Sequence, residues 1–176
     1  RGVASTSLDD IAEQADISKP IIYNLLGSKE SLFDAVVDDI ATDLRIAIEE
    51  AIADQGTPRA RLGAGVAMFF RFVGAHQSEW DMIVKAGTSN DRAADKIRNF
   101  QAEAVARSVR QTLATDHAGL GEAQMDELAL AIAFAINGAT EGLARWWREH
   151  RDWTPDDLGA LIASIFFRDA ATTWTT

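Results

Sequence analysis

Apolar and polar positions alternate along the chain with the three- and four-residue spacing of amphipathic helices. There is no run of β-branched and aromatic residues at period two between turn dipeptides, so the pattern predicts no strand. Proline occurs only three times, and long alanine-rich stretches favour helix. The sequence therefore predicts an all-α protein.

Capping residues mark four helix starts. Ser7, Ser28, Thr57 and Thr154 each stand directly before a stretch of helical periodicity, and a proline follows both threonines. A hydroxyl at this position accepts a hydrogen bond from a free amide of the first turn, and proline suits the first helical position. We expect a helix to begin after each of them.

Helix length changes along the chain. Up to about residue 28 the predicted helices are short and closely spaced, and beyond that point they are much longer. This change predicts a small N-terminal domain, residues 1–45, followed by a larger helical domain, residues 46–176.

Residues 7–26 have the pattern of a helix, a tight turn and a second helix. Such a helix-turn-helix leaves the N-terminal half of its second helix free to enter a DNA major groove, although helical corners of this size also occur as plain packing units. The predicted inward-facing positions are Leu8, Ile11, Ala12, Ala15, Ile17, Ile22 and either Leu25 or Leu26.

The segment 6–33 resembles the helix-turn-helix signature of the TetR/AcrR family of transcriptional regulators. The most specific matches are Ile11-Ala12, Ile17-Ser18-Lys19, Tyr23 and the run 27–32. The resemblance implies an N-terminal DNA-binding module and a larger helical body for ligand binding and dimerisation. In the family a first helix normally precedes a segment like residues 1–3, so the resemblance implies that this helix is missing here.

The resemblance also implies which residues contact DNA. The start of the second helix would face the DNA bases, and the middle of that helix would contact backbone phosphates. The amides after Ser28 would bind another phosphate. The implied DNA-binding residues are Ser7, Ser18, Lys19, Pro20, Ile21, Tyr23, Asn24 and Lys29. The residues themselves leave other roles open: a half-buried packing residue for Tyr23, a solvated turn residue for Lys19, and packing within the module or a thymine-methyl contact for Ile21.

Three departures from the family pattern bear on DNA binding. Asp16 stands where glycine is usual, and Leu25-Leu26 replace an aromatic or histidine followed by phenylalanine, which removes one phosphate contact. Residues 1–33 hold three basic and five acidic residues, and the whole chain carries a net charge of −10. This acidity opposes non-specific binding to nucleic acid.

The stretch from Pro58 to His76 predicts a helix that is buried almost all round, because Arg71 is its only charged residue between positions 62 and 75. Its glycines, at 63, 65 and 74, suggest close backbone approach or room for a ligand. Arg71 could anchor a ligand carboxylate, extend its charge to solvent, or pair with Glu79 or Asp81.

The family resemblance implies an effector cavity in the helical body. The candidate lining residues are Met68, Phe69, Arg71, Phe72, Trp80, Met82, Ile83, Phe100, Phe134, Asn137 and Glu141. Ordinary core packing explains the apolar members equally well, and a surface pair with Arg145 explains Glu141.

A second long helix, from Asp126 to His150, has two apolar stripes. One begins at Leu128 and the other at Ala129, so one can cover the core while the other meets a second subunit. Together with the helix after Pro155, it resembles the pair that forms the family's dimer interface. The candidate interface residues are Leu128, Ile132, Ala135, Ala139, Leu143, Trp146, Trp147, Leu158, Leu161, Ile162 and Ile165.

Catalytic and metal-binding patterns are missing from the sequence. The three histidines, His76, His117 and His150, lie far apart and in no known catalytic motif, and cysteine is absent. No uninterrupted apolar run reaches membrane-spanning length, and the first ten residues contain no signal-peptide core. We expect a cytoplasmic protein that is not an enzyme and needs no cofactor or metal.

The interpretation that unites these features is a homodimeric regulator that binds a palindromic double-stranded DNA operator and is released by a small apolar or amphipathic effector. A repressor is the favoured form. The alternative is a dimeric all-α ligand-binding or protein-interaction module that does not read DNA, suggested by the acidic N-terminal region.

Overall fold

The structure is a computed structural model, and it describes residues 5–87, 102–103, 105–111 and 121–167. This part of the chain contains no strand, which confirms the all-α prediction. Residues 105–111 are helical, and the other helices are α1 (Leu8–Gln14), α2 (Lys19–Leu26), α3 (Lys29–Ala53), α4 (Pro58–Ala75), α5 (Gln77–Gly87), α6 (Glu122–Trp147) and α7 (Pro155–Phe166).

The capping predictions are confirmed at α1 and α7, where each cap is a reciprocal capping box. The Ser7 hydroxyl accepts a hydrogen bond from the Asp10 amide at 3.1 Å, and the Asp10 carboxylate accepts one from the Ser7 amide at 2.8 Å. Thr154 and Asp157 repeat this arrangement at 3.2 and 2.9 Å. Each box satisfies two amides that the helix itself cannot pair.

The predicted starts of α3 and α4 are also confirmed, each with a simpler cap. The Ser28 hydroxyl accepts from the Ser31 amide, and the Thr57 hydroxyl accepts from the Ala60 amide, both at 3.1 Å. In α4 the third helical position is alanine, so no side chain returns a bond to the cap.

The described residues group into two compact units. The first contains 5–43 and 76–87, and the second contains 44–75, 102–103, 105–111 and 121–167. The division after Asp43 lies near the expected boundary at residue 45, but α5, expected in the body, groups with the first unit. The 1–45 and 46–176 division remains a prediction.

In the second unit, α4 and α7 pack against each other. Phe70 of α4 and both Leu158 and Ile162 of α7 are completely or almost completely buried. The helices are closest at Gly159, where a Cβ atom would lie 2.3 Å from the Gly63 carbonyl oxygen. Only a residue without a side chain allows this approach.

The glycines of α4 lie against other helices, which supports close approach over ligand room. A Cβ on Gly63 would contact α7, and one on Gly65 would contact α3. A Cβ on Gly74 would lie 3.4 Å from the Trp147 indole of α6. The prediction that α4 is buried all round holds from Val66 to Val73, apart from Arg71 and the half-buried residue 68.

Helix α6 buries one of its two predicted stripes. Trp147 ends this stripe, where its indole N–H donates to the Trp153 carbonyl at 2.7 Å and its ring meets the Phe70 ring edge-on at 5.4 Å. The buried residues of α6 are Met125, Ala129, Ala133, Ile136, Thr140, Ala144 and Trp147.

Residues 105–111 pack on the first turns of α6. Ala106 and Val109 contact the cluster formed by Met125 and Ala129, and Arg110 pairs with both Asp126 and Glu122 of α6. By length and composition alone, α6 passes the test for a membrane-crossing helix, a test that core helices also pass.

Candidate functional site

The first three helices form a small module around an apolar cluster. Leu8 and Ala12 of α1 pack on Ile22 of α2, and all three are buried. Partly buried Ile11, Leu26 and Leu32 complete the cluster. This cluster fixes the angle between α1 and α2, so it determines how α2 is presented to a partner.

Three of the predicted inward-facing positions are exposed. Leu26 faces the cluster and Leu25 does not, which settles the alternative left open by the sequence. Ala15 and Ile17 are also exposed, so the prediction that these two residues face inward is wrong. The turn is held by backbone bonds, in which the Ile17 amide donates to the Ala12 carbonyl at 3.0 Å.

Asp16 gives that turn its shape. Its φ is +54°, in the left-handed region where the family's usual glycine costs nothing. Aspartate tolerates this region better than most residues. The turn therefore forms with aspartate in place of glycine.

The outer face of α2 is open. Lys19, Pro20, Ile21, Tyr23 and Asn24 are all exposed, so the structure brings together on one surface five of the eight residues predicted to bind DNA. Tyr23 is 49% exposed, so both the DNA contact and the half-buried packing role remain predictions for it.

Lys19 is held by a carboxylate of the neighbouring helix. Its ammonium donates to Asp9 Oδ2 at 2.7 Å, and both side chains are largely exposed. The hydrogen bond and the charge of Asp9 raise the pKa of Lys19 above its ordinary value. Lys19 therefore stays charged, and a phosphate or base must compete with Asp9 for it.

Ser7 and Ser18 differ in their availability. Ser7 is engaged by Asp10 through both its amide and its hydroxyl, which lie 2.8 and 2.6 Å from the carboxylate. This negative charge opposes a phosphate at the same place. Ser18, the N-cap of α2, makes no side-chain cap bond.

The start of α3 already holds a carboxylate of its own. The backbone amide of Glu30 and the Ser28 hydroxyl hydrogen-bond to the Glu30 carboxylate and lower its pKa. Lys29 lies beside them and is partly buried. A phosphate at this helix start would replace Glu30 as the partner of these donors.

The candidate pocket residues have mixed environments. Phe69, Phe72 and Trp80 are buried, and Met68 and Met82 are half-buried. Phe69 and Phe72 belong to the second unit, and Trp80 to the first. The side chain of Ile83 and all of Phe100 lie outside the described residues.

Arg71 is exposed and pairs with Asp156 at the start of α7. The partners predicted from the sequence were Glu79 and Asp81, whereas this partner lies 85 residues away in the chain. The ion pair already neutralises the charge that a ligand carboxylate would use.

One face of α6 contains a buried polar atom with no partner. Asn137 is half-buried, and its Nδ2 is buried with no hydrogen-bond partner in the described part of the chain. Glu141 is half-buried one turn later, and Phe134 is exposed one turn earlier. A buried donor without a partner costs about 1–3 kcal/mol.

The candidate dimer residues divide into surface and core. Trp147, Leu158 and Ile162 are buried within the chain's own core, so they are removed from the proposed interface. Exposed or half-buried members remain: Leu128, Ile132, Ala135, Ala139, Leu143, Trp146, Leu161 and Ile165.

Metal binding finds no support in the described residues, where no group of three or more metal-ligating side chains comes together.

Two family models match the chain. Residues 1–36 match the model of bacterial regulatory proteins of the tetR family, and residues 58–168 match the tetracyclin repressor-like C-terminal domain. The second match alone covers more than half of the chain.

Two of the curated relatives are transcriptional regulators of Mycolicibacterium smegmatis. The chain is 25% identical to the regulator EthR over 168 residues, which span 93% of this chain and 76% of EthR. It is 34% identical to the transcriptional activator FasR over 79 residues, which span 45% of this chain but only 36% of FasR.

Solved structures share the fold. A TetR-like regulator from Rhodococcus sp. RHA1 is 28% identical with a TM-score of 0.67, and the match covers 98% of this chain and 88% of that one. A TetR-family regulator from Syntrophomonas wolfei, 13% identical, matches with a TM-score of 0.75 over 96% of this chain and 89% of its own.

Proposed function

This chain belongs to the TetR family of transcriptional regulators, and from that premise we propose that it is a homodimeric, ligand-responsive repressor acting in the cytoplasm. DNA-binding regulation is the shared activity of its relatives. Repression, response to an effector and dimerisation go beyond that shared activity and belong to our proposal.

The observation that carries the proposal is the geometry of the N-terminal module. A cluster of three buried residues holds α1 and α2 together, while Lys19, Pro20 and Ile21 lie exposed at the start of the second helix. This is the arrangement in which a helix-turn-helix places the start of its second helix against base edges.

The unburied stripe of α6 supports the proposed dimer. Leu128 and Trp146 lie about five turns apart on one line of the helix, and both are exposed in the single chain. A second copy would cover this line and place two modules in successive major grooves, about 34–36 Å apart, on a palindromic operator.

The effector we propose is small, mainly apolar and equipped with a hydrogen-bond acceptor. Asn137 supports this choice, because its buried amide nitrogen is a donor without a partner in the described residues. Release from DNA requires unequal affinity for the two states of the dimer. A ratio of about 100 would shift the equilibrium by roughly 2.7 kcal/mol.

The test is a fluorescence-anisotropy titration of the full-length protein against DNA from its own upstream region and against a scrambled duplex, each at two salt concentrations. We expect a Kd of about 10⁻⁸ M or tighter for the first duplex, about 10³-fold weaker binding to the second, and a steep salt dependence. A reporter gene behind the same DNA then gives the sign of regulation, with higher expression in the deletion strain expected for a repressor.

Weak and equal binding to both duplexes has two explanations. A co-purified effector would hold the released state, and unfolding, extraction and refolding would then restore selective binding. Equal binding after that treatment would favour the alternative function, a dimeric ligand-binding or protein-interaction module. The exposed acidic partner of Lys19 is the feature that favours this alternative.

A further inference from the structure

The outer face of α2 carries two large apolar side chains in positions open to solvent. Leu25 is 74% exposed and Ile21 is 49% exposed. They are four residues apart on one face of the helix, about 6 Å along its axis. Neighbouring exposed aliphatic side chains on a surface proposed to bind DNA indicate that the partner presents an apolar group there.

The module's own cluster does not use these two residues. Ile22 and Leu26 face inward with Leu8 and Ala12, and they complete the packing of α2 on α1. Ile21 directly precedes Ile22, and Leu25 directly precedes Leu26. Successive helical residues point about 100° apart, so Ile21 and Leu25 point away from the cluster.

The polar groups near this face are few. The ammonium of Lys19 is 2.7 Å from Asp9, which competes for it with any base. Tyr23 and Asn24 are exposed and are proposed above to contact phosphates, which carry no sequence information. Ser18, which makes no side-chain cap bond, remains as a hydroxyl for a base edge, so hydrogen-bond reading by α2 rests on few groups.

The major groove offers one apolar group that differs between base pairs, the 5-methyl of thymine. We propose that Ile21 and Leu25 contact thymine methyl groups, so that this chain selects its operator half-sites by hydrophobic contact. The inference rests on the proposed function, since it names the DNA feature that the same surface recognises. It predicts thymine at fixed positions in each half-site.

The experiment begins with a selection that assumes no operator. The full-length protein selects duplexes from a library with a randomised central segment, and the enriched duplex is then resynthesised with single thymines replaced by deoxyuridine. This replacement removes the methyl group and keeps base pairing. At a contacted position we expect the affinity to fall about fourfold, the factor that burial of one such group provides, and about fifteenfold when both half-sites are changed.

Two variants assign the effect to residues. Ile21→Ala and Leu25→Ala should each bind the thymine duplex more weakly and lose sensitivity to deoxyuridine at one position. Ile46→Ala is the matched control, because Ile46 is 43% exposed on α3, outside the helix-turn-helix. It should keep the full sensitivity.

Each other outcome has a clear meaning. Equal affinity for thymine and deoxyuridine duplexes at every position would overturn the inference, as would full sensitivity in both α2 variants. If the library yields no enriched duplex, the proposed DNA-binding function itself fails and the inference falls with it.

Discussion

Gly159 occupies the closest approach between two helices, and its requirement is steric. A Cβ there would lie 2.3 Å from the Gly63 carbonyl oxygen and 3.0 Å from the Ala67 Cβ, so the helices would have to separate. We expect Gly159→Ala to lower the free energy of unfolding by about 1–3 kcal/mol, measured by urea titration.

Gly63 on the facing helix is the matched control. A Cβ on Gly63 would lie 3.6 Å from its nearest neighbours, which is ordinary contact. Gly63→Ala should therefore leave stability unchanged or raise it by up to about 1 kcal/mol through helix propensity. Equal destabilisation by the two substitutions would contradict the assignment of the tight contact to Gly159 alone.

Tyr23 and Lys29 test the proposed phosphate contacts. The variant Tyr23→Phe with Lys29→Ala loses one hydroxyl donor and one charge from the module, so we expect weaker binding to every DNA sequence. The slope of log affinity against log salt should fall by about one. Titrations at four salt concentrations would measure it, and an unchanged slope would remove Lys29 from the contact set.

Helices α4 and α7 begin with the same Thr-Pro pair but differ in the third helical residue. A comparison of the two therefore separates the effect of the capping hydroxyl from the effect of the carboxylate. At α7 the Asp157 carboxylate is held by the Thr154 hydroxyl and amide, and these bonds lower its pKa. A lowered folded-state pKa stabilises the fold above the ordinary value of an aspartate, about 3.9, and this contribution is lost as the pH falls through the folded value.

We therefore expect Thr154→Ala to destabilise the protein by about 1 kcal/mol near neutral pH, and by less near pH 3. Thr57→Ala is the comparison, since α4 has alanine in place of the aspartate and its cap has no titrating partner. Its effect should be the same at both pH values. Urea titrations between about pH 6 and 3 would distinguish the two; parallel pH profiles would contradict the assignment.

Helix starts were predictable because a cap is a local arrangement. The hydroxyl, the proline and the acidic third residue lie within four positions, so Ser7 and Thr154 identify their helices without knowledge of the fold. Partners distant in sequence were not predictable. Arg71 and Asp156 are 85 residues apart, and nothing local indicates their pairing.

Apolar periodicity predicts that a stripe is buried without saying what buries it. The sequence identified both stripes of α6 but assigned Trp147 to the dimer surface, whereas the packing of α4 places it in the core. Likewise the pattern left Leu25 and Leu26 equivalent, because the angle between α1 and α2 decides which one faces inward. These choices depend on tertiary packing and not on spacing.

At the scale of the whole molecule, the proposed dimer depends on one face of α6. Leu128 lies on the stripe that the single chain leaves open, and it is 37% exposed. A glutamate there would bury an unpaired charge between subunits, so we expect Leu128→Glu to be monomeric in sedimentation velocity while keeping its helical content.

Leu130 provides the control on the same helix. It is 40% exposed, but two residues along a helix correspond to more than half a turn, so it lies on nearly the opposite face. Leu130→Glu should remain dimeric. A dimeric Leu128→Glu would move the interface away from this stripe.

The tryptophans at the end of α6 give the molecule an optical reporter of its own assembly. Trp146 stacks on the His150 ring at 4.0 Å and meets the Trp153 ring edge-on at 5.5 Å, while Trp147 is sealed in the core beside them. Because Trp146 is 37% exposed and lies on the proposed subunit surface, pairing would move the exposed part of its indole from water into an apolar contact. Emission would shift toward the blue as subunits associate, so assembly can be followed by intrinsic fluorescence without a label.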